Sequence, residues 1–161
     1  MKNETKITAE PGRQELFIVR EFDAPRELVF KVVMDPKMIP EWWGPRYFST
    51  VVDKMDPRPG GQWRFINRSS DGKDYSFHGV YHEVHAPEFV IDTFEFEGIP
   101  ETGHASMETM RLEELPGGRT RLTTQSVFQS VADRDATLQS GMEEGVKDTY
   151  NRLEELLMKK K

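Results

Sequence analysis

Apolar and polar positions alternate along most of this chain, and the period changes at its two ends. Leu16-Phe17-Ile18-Val19-Arg20-Glu21-Phe22 is rich in β-branched and aromatic residues and predicts a first strand. Asp23-Ala24-Pro25 then opens a helix, since proline fits the first turn, where its missing N–H costs nothing. Leu28, Val29, Val32 and Val33 supply one helical stripe, and Asp35-Pro36 stops it. A second short helix is predicted over 36–41, before Trp42-Trp43-Gly44-Pro45. From Tyr47 to Phe128 the punctuation is that of strands, predicted at 47–55, 61–68, 74–84, 88–97, 104–114 and 119–128. Gly- and Pro-rich turns at 57–61, 71–72, 86–87, 98–100 and 116–118 separate them, and these are short enough for antiparallel hairpins. Beyond Ser130, a cap candidate, Leu138, Met142, Val146, Tyr150, Leu153 and Leu157 recur at helical spacing. From Gly141 to Met158 such a helix would run about 27 Å, enough to cross a sheet.

The expected fold is therefore α+β: a curved antiparallel sheet of about seven strands, two short helices after the first strand, and a long C-terminal helix as its cover. One helix cannot fill a strongly curved sheet of that width, so the order of elements predicts a concave cavity between them. Gly141 and Gly145 lie one turn apart on one helix face. They mark either close backbone packing, with a break near Gly141, or a thinned wall over the cavity. Residues 1–13 are polar and read as a disordered tail, leaving 14–158 as a single domain.

Composition narrows the function. The 161 residues carry a formal net charge of −6, which argues against nucleic acid or an anionic membrane surface as partner. The absence of cysteine removes disulfides, thiolate-bound zinc and a thiol nucleophile. No apolar run is long enough to span a bilayer and residues 1–13 hold no leader-like apolar stretch, so a cytoplasmic location is the simpler reading. No phosphate-binding loop or nucleophile elbow occurs, and no cofactor is implied. His78, His82, His85 and His104 lack metal-ligand spacing, so no metal site is expected.

The pocket candidates are Trp42, Trp43, Tyr47, Trp63, Phe65, Phe77, Thr93, Thr124, Ser126, Met142 and Tyr150, an apolar lining with a few hydroxyls. The alternative is that the same residues fill a closed core. Catalysis would need a titratable group inside, for which Glu83, Glu95 and Arg64 are candidates; a surface Glu–Arg pair on neighbouring strands is the simpler account of them. The phase of 104–114 is ambiguous, whereas Leu122, Thr124, Ser126 and Phe128 read as an inner face opposite Arg121, Thr123 and Gln125.

Several stretches carry a resemblance: Phe22-Asp23-Ala24-Pro25, Trp42-Trp43-Gly44-Pro45, Pro59-Gly60-Gly61-Gln62-Trp63-Arg64, Phe77–Val84 with Pro87-Glu88, Gly117–Thr123, and Gly141–Gly145 running on to Arg152-Leu153. In order and spacing, over roughly residues 14–157, they resemble the SRPBCC superfamily, the helix-grip fold of START and birch-pollen-allergen proteins. Within it the chain resembles the branch of the activator of heat-shock protein 90 ATPase, whose C-terminal domain it matches. The resemblance implies a helix-grip fold. It leaves three functions open, because fold does not fix chemistry. The first is binding of a small hydrophobic or amphipathic ligand between sheet and helix, with no reaction assigned. The second is a chaperone-binding module, although residues 1–13 cannot supply the separate N-terminal domain of the ATPase-stimulating members. The third is a polyketide-cyclase- or hydrolase-like enzyme.

Overall fold

The computed structural model describes residues 3–161. Eight strands form one antiparallel sheet in the order β1-β2-β8-β7-β6-β5-β4-β3. They are β1 (Lys6–Thr8), β2 (Glu15–Phe22), β3 (Ser49–Met55), β4 (Gln62–Arg68), β5 (Asp74–His85), β6 (Phe89–Phe96), β7 (Ser106–Leu115) and β8 (Arg119–Val127). From β3 to β8 each strand pairs with the next in sequence, as the short turns require, and β2 closes onto β8 across the whole chain. Helices α1 (Arg26–Val33) and α2 (Ile39–Trp42) bridge β2 to β3, while α3 (Val131–Gln139) and α4 (Met142–Lys160) end the chain.

The strand count is one higher than expected. Lys6–Thr8 lies within the stretch read as a tail, yet it pairs with Phe17–Val19. Asn3 and Thr5 are buried, and Asn3 bonds Glu154 and Arg119 on two other elements. The segment is therefore tied down by backbone pairing and polar contacts rather than by apolar periodicity. Met1 and Lys2, also part of the expected tail, lie outside the described residues.

The core sits on the concave face. Phe22, Trp63, Phe65, Tyr81, Val90, Leu112 and Leu122 from the sheet meet α1, α2 and the Leu153–Leu157 stripe of α4. Ser130 Oγ accepts the Asp133 backbone N–H, capping α3 as its sequence position predicts. The helical run then breaks: Gly141 adopts a left-handed φ of 84° and precedes α4 rather than lying inside it. Gly145 lies within α4, where an added Cβ would stand 3.3 Å from the Pro45 ring. Of the two readings of these glycines, the structure supports a break and close packing, not a thinned wall.

Candidate functional site

The central strands decide what the concave face presents. On β4, Trp63 and Phe65 point inward, with Arg64 between them on the outside. On β5 the inward set is Phe77, Gly79 and Tyr81, until a register shift between Tyr81 and Glu83 turns Val84 inward instead. Gly79 is required there, since a Cβ would meet the Thr93 carbonyl at 1.9 Å and the Trp63 indole nitrogen at 2.5 Å. Trp43 follows α2 and closes over these strands, with ring centroids 5.1 Å from Phe65, 5.3 Å from Phe77 and 6.5 Å from Trp63. Phe94 of β6 extends this aromatic wall, 5.4 Å from Phe77 and 5.8 Å from Trp63.

The loop that carries Trp43 is pinned from both sides. The Trp43 carbonyl accepts the Thr50 hydroxyl at 2.6 Å. Arg152 of α4 donates to the carbonyls of Pro40, Glu41 and Gly44, satisfying groups at the end of α2. Arg46 is held by Asp148 and Glu155.

Next to the aromatic wall stand two acids that sequence reasoning missed. Asp92 of β6 and Glu108 of β7 are register partners, and both lie on the inner face. Among the described residues no cation forms an ion pair with either. Burial pushes the Asp92 carboxyl up to about 8, with a further push from Glu108. The Trp63 indole N–H works in the opposite direction, turned toward Asp92 but outside hydrogen-bond geometry. Glu108 is also raised by burial, against the hydroxyls of Ser126 and Ser106, the latter donating at 3.1 Å. Both acids nevertheless keep part of their surface accessible. Across from them, the Tyr150 hydroxyl of α4 lies 3.5 Å from Thr124 Oγ1, and the Tyr150 ring meets Phe22 edge-on at 6.1 Å. Burial raises the pKa of Tyr150 as well, so it stays a neutral donor.

Of the residues proposed from sequence, Trp43, Trp63, Phe65 and Phe77 form the aromatic wall, and Thr124, Ser126 and Tyr150 join the acids. Trp42 is buried in the core on α2. Met142 opens α4, about 12 Å along the axis from Tyr150. Two proposed residues lie elsewhere. Tyr47 is 70% exposed and lies against Phe48, with ring centroids 4.8 Å apart, outside the sheet. Thr93 belongs to the outer face: it is the partner of exposed Met107, and its hydroxyl accepts the Val80 backbone N–H. The expected phase of β6 was thus inverted, because both of its faces carry large apolar residues.

The three titratable candidates also face outward. Arg64 binds Glu97 through two bonds of 2.9 and 3.0 Å. Glu95 lies 3.5 Å from His78, and Glu83 pairs with His85. None of the three pairs with another of the set: Arg64 takes Glu97 as its partner, and the two acids lie beside histidines. A separate groove of about 580 Å³ runs between α1 and the β5–β6 turn, lined by Phe30, Met34, Pro36 and Pro87, and contains none of the proposed residues.

A long helix gripped by a curved antiparallel sheet, with α1 and α2 inserted after β2, defines a helix-grip α+β protein. The chain belongs to the family described as Activator of Hsp90 ATPase homolog 1-like protein, whose model matches residues 23–158. It is similar to a protein from Arthrobacter aurescens at 24% identity and a TM-score of 0.86, over 96% of this chain and 91% of that one. A protein from Mycobacterium smegmatis is 27% identical, with a TM-score of 0.82 and 96% coverage of both chains. An AHSA1 protein from Silicibacter pomeroyi is 24% identical, with a TM-score of 0.75 over 91% of this chain and 99% of that one. No curated protein matches the chain.

Proposed function

We propose that the protein binds a small hydrophobic or amphipathic molecule in a hollow between the sheet and α4, in the cytoplasm, without an assigned reaction. The observation that carries this reading is the pair Asp92 and Glu108. A close-packed apolar core excludes carboxyl groups that lack partners, because their desolvation is uncompensated. Asp92 and Glu108, side by side with no cation paired to either among the described residues and each retaining accessible surface, fit an interior with room for solvent. An aromatic wall with a few convergent polar groups has the composition of a small-ligand site.

Titration with an environment-sensitive apolar dye tests this directly. The full chain should take up one dye with a fluorescence gain, and Phe77→Trp, which fills the wall, should weaken uptake. A wild type that takes up no dye and shows no ordered interior water would overturn the reading. The family description supports a second reading, a surface that docks a heat-shock chaperone. Retention of purified chaperone on the immobilised chain, unaffected by Phe77→Trp, would favour it.

A further inference from the structure

Resting on that reading, we infer that the hollow selects an amphipathic ligand bearing an organic cation, with its ammonium group at Asp92 and Glu108 and its apolar body against the Trp43, Trp63 and Phe77 rings. Three independent features converge. The two acids are direct partners on neighbouring strands and share one inward patch. The Trp63 indole N–H is buried, with the residue 4% exposed, has no hydrogen-bond partner, and is turned toward Asp92. It is a donor turned toward Asp92 that favours the charged carboxylate over the neutral acid. The Trp43, Trp63 and Phe77 rings pack together, with Trp43 6.5 Å from Trp63 and 5.3 Å from Phe77, and supply the apolar surface for the rest of the ligand.

The groups facing Asp92 fix its proton linkage. Glu108 faces it from β7, Tyr81 from β5 as register partner and Trp63 from β4. Tyr150 stands on α4 near Glu108, and Arg20 of β2 acts on Tyr150 while paired with Glu154 of α4. Burial holds Tyr81 and Tyr150 neutral. With its pKa near 8, Asp92 is mostly the neutral acid at pH 7. Seating a cation breaks its O–H bond, sends the proton to solvent and leaves a carboxylate beside the ammonium.

Calorimetry of the full chain tests this with three probes: 4-phenylbutyltrimethylammonium, its neutral carbon isostere, and 5-phenylpentanoate. The cation should bind at least about tenfold tighter than the isostere at pH 9. Its affinity should fall about tenfold from pH 9 to pH 7, one decade per unit below the Asp92 pKa, with close to one proton released per probe at pH 7. Asp92→Asn should abolish both the preference and the pH slope while keeping isostere binding. Trp63→Phe, which keeps a ring but removes the N–H, should weaken the cation at pH 9 several-fold more than it weakens the isostere. Equal or tighter binding of the isostere or the anion at pH 9 would overturn the cation assignment yet leave the ligand-binding reading intact. Failure of all three probes to bind would overturn both.

Discussion

The space between the sheet and α4 holds charge in two places, and the two are built differently. On the β1–β2 side, Arg20 is 1% exposed, yet Glu154 pairs with it at 3.2 Å, Asn151 and Thr5 accept from it, and Asn3 donates to Glu154. Its guanidinium also lies 5.5 Å over the Phe22 ring. On the β6–β7 side, Asp92 and Glu108 have each other, two serine hydroxyls and an indole that falls short of bonding. The first arrangement ties β2 and α4 to the segment before β1 through an ion pair and several side-chain hydrogen bonds, as a structural network does. In the second, among the described residues, no cation pairs with either acid and the indole makes no bond, and it is on this arrangement that the ligand-binding proposal rests.

Breaking the closed network should have the largest effect. Glu154→Ala removes the carboxylate paired with buried Arg20, and removing one partner of a buried pair costs about 3–5 kcal/mol. Denaturant unfolding at pH 7 measures this; a loss below about 1 kcal/mol would mean that the network is redundant. Removing residues 1–8 comes next. It deletes β1 and the bonds from Asn3 to Glu154 and from Arg20 to Thr5. Two bonds to charged groups amount to about 3–6 kcal/mol, so the melting temperature should drop clearly, where an unstructured tail would leave it unchanged.

That second outcome marks where the sequence is silent. The six hairpin strands from β3 to β8 are legible because each is bounded by turn residues, and all six fall within about two residues of expectation. β1 is not, because Lys6-Ile7-Thr8 offers a single apolar residue and gains its place through β2 and through polar contacts from Asn3 and Thr5. The aromatic wall is legible from Trp63, Phe65 and Phe77, whose alternation matches the observed inner face. The acids are not legible. On β6, Phe89, Ile91 and Thr93 compete with Val90, Asp92 and Phe94 for the inside, and an acid in the second set argues for the first. An inward carboxylate violates the pattern that strand reading depends on, so Asp92 itself misdirects the register of β6. Such violations concentrate at functional sites.

The open side should respond to pH in the opposite sense to an ordinary ion pair. Asp92 has a folded pKa raised from 3.8 to about 8, so the native state holds its proton more tightly than the unfolded chain does. Stability therefore falls as pH rises through that window, because the unfolded state ionises first. Asp92→Asn removes the group that titrates. Its stability relative to wild type should be near zero difference at pH 4, rise across pH 4–8 and level off above pH 8, with a gain of at least about 1 kcal/mol. Paired urea titrations at pH 4, 6 and 8.5 would show it. A constant difference at all three would mean that Asp92 is ionised in the native state throughout.

The smallest effect is predicted at Gly145, which touches neither the network nor the acids. Alanine there gains helix propensity, about 1 kcal/mol in an interior turn. Against this, the new Cβ would stand 3.3 Å from Pro45 Cγ, tighter than an ordinary contact. Pro45 sits in the loop that Arg46 fastens to Asp148 and Glu155 and that Arg152 fastens at Gly44, so the backbone resists moving. A proline ring still yields by a few tenths of an ångström through its pucker, enough to relieve most of the crowding. The two terms should nearly cancel, leaving Gly145→Ala within about 0.5 kcal/mol of wild type, the range of surface substitutions. Dye uptake should be unchanged, since Pro45 stands between this part of α4 and solvent rather than over the acids. A loss above about 1 kcal/mol together with altered uptake would show that the loop carrying Trp43 shifts when Pro45 is pushed. The aromatic wall and the helix would then move as one body, and the open site could not be treated apart from the closed network.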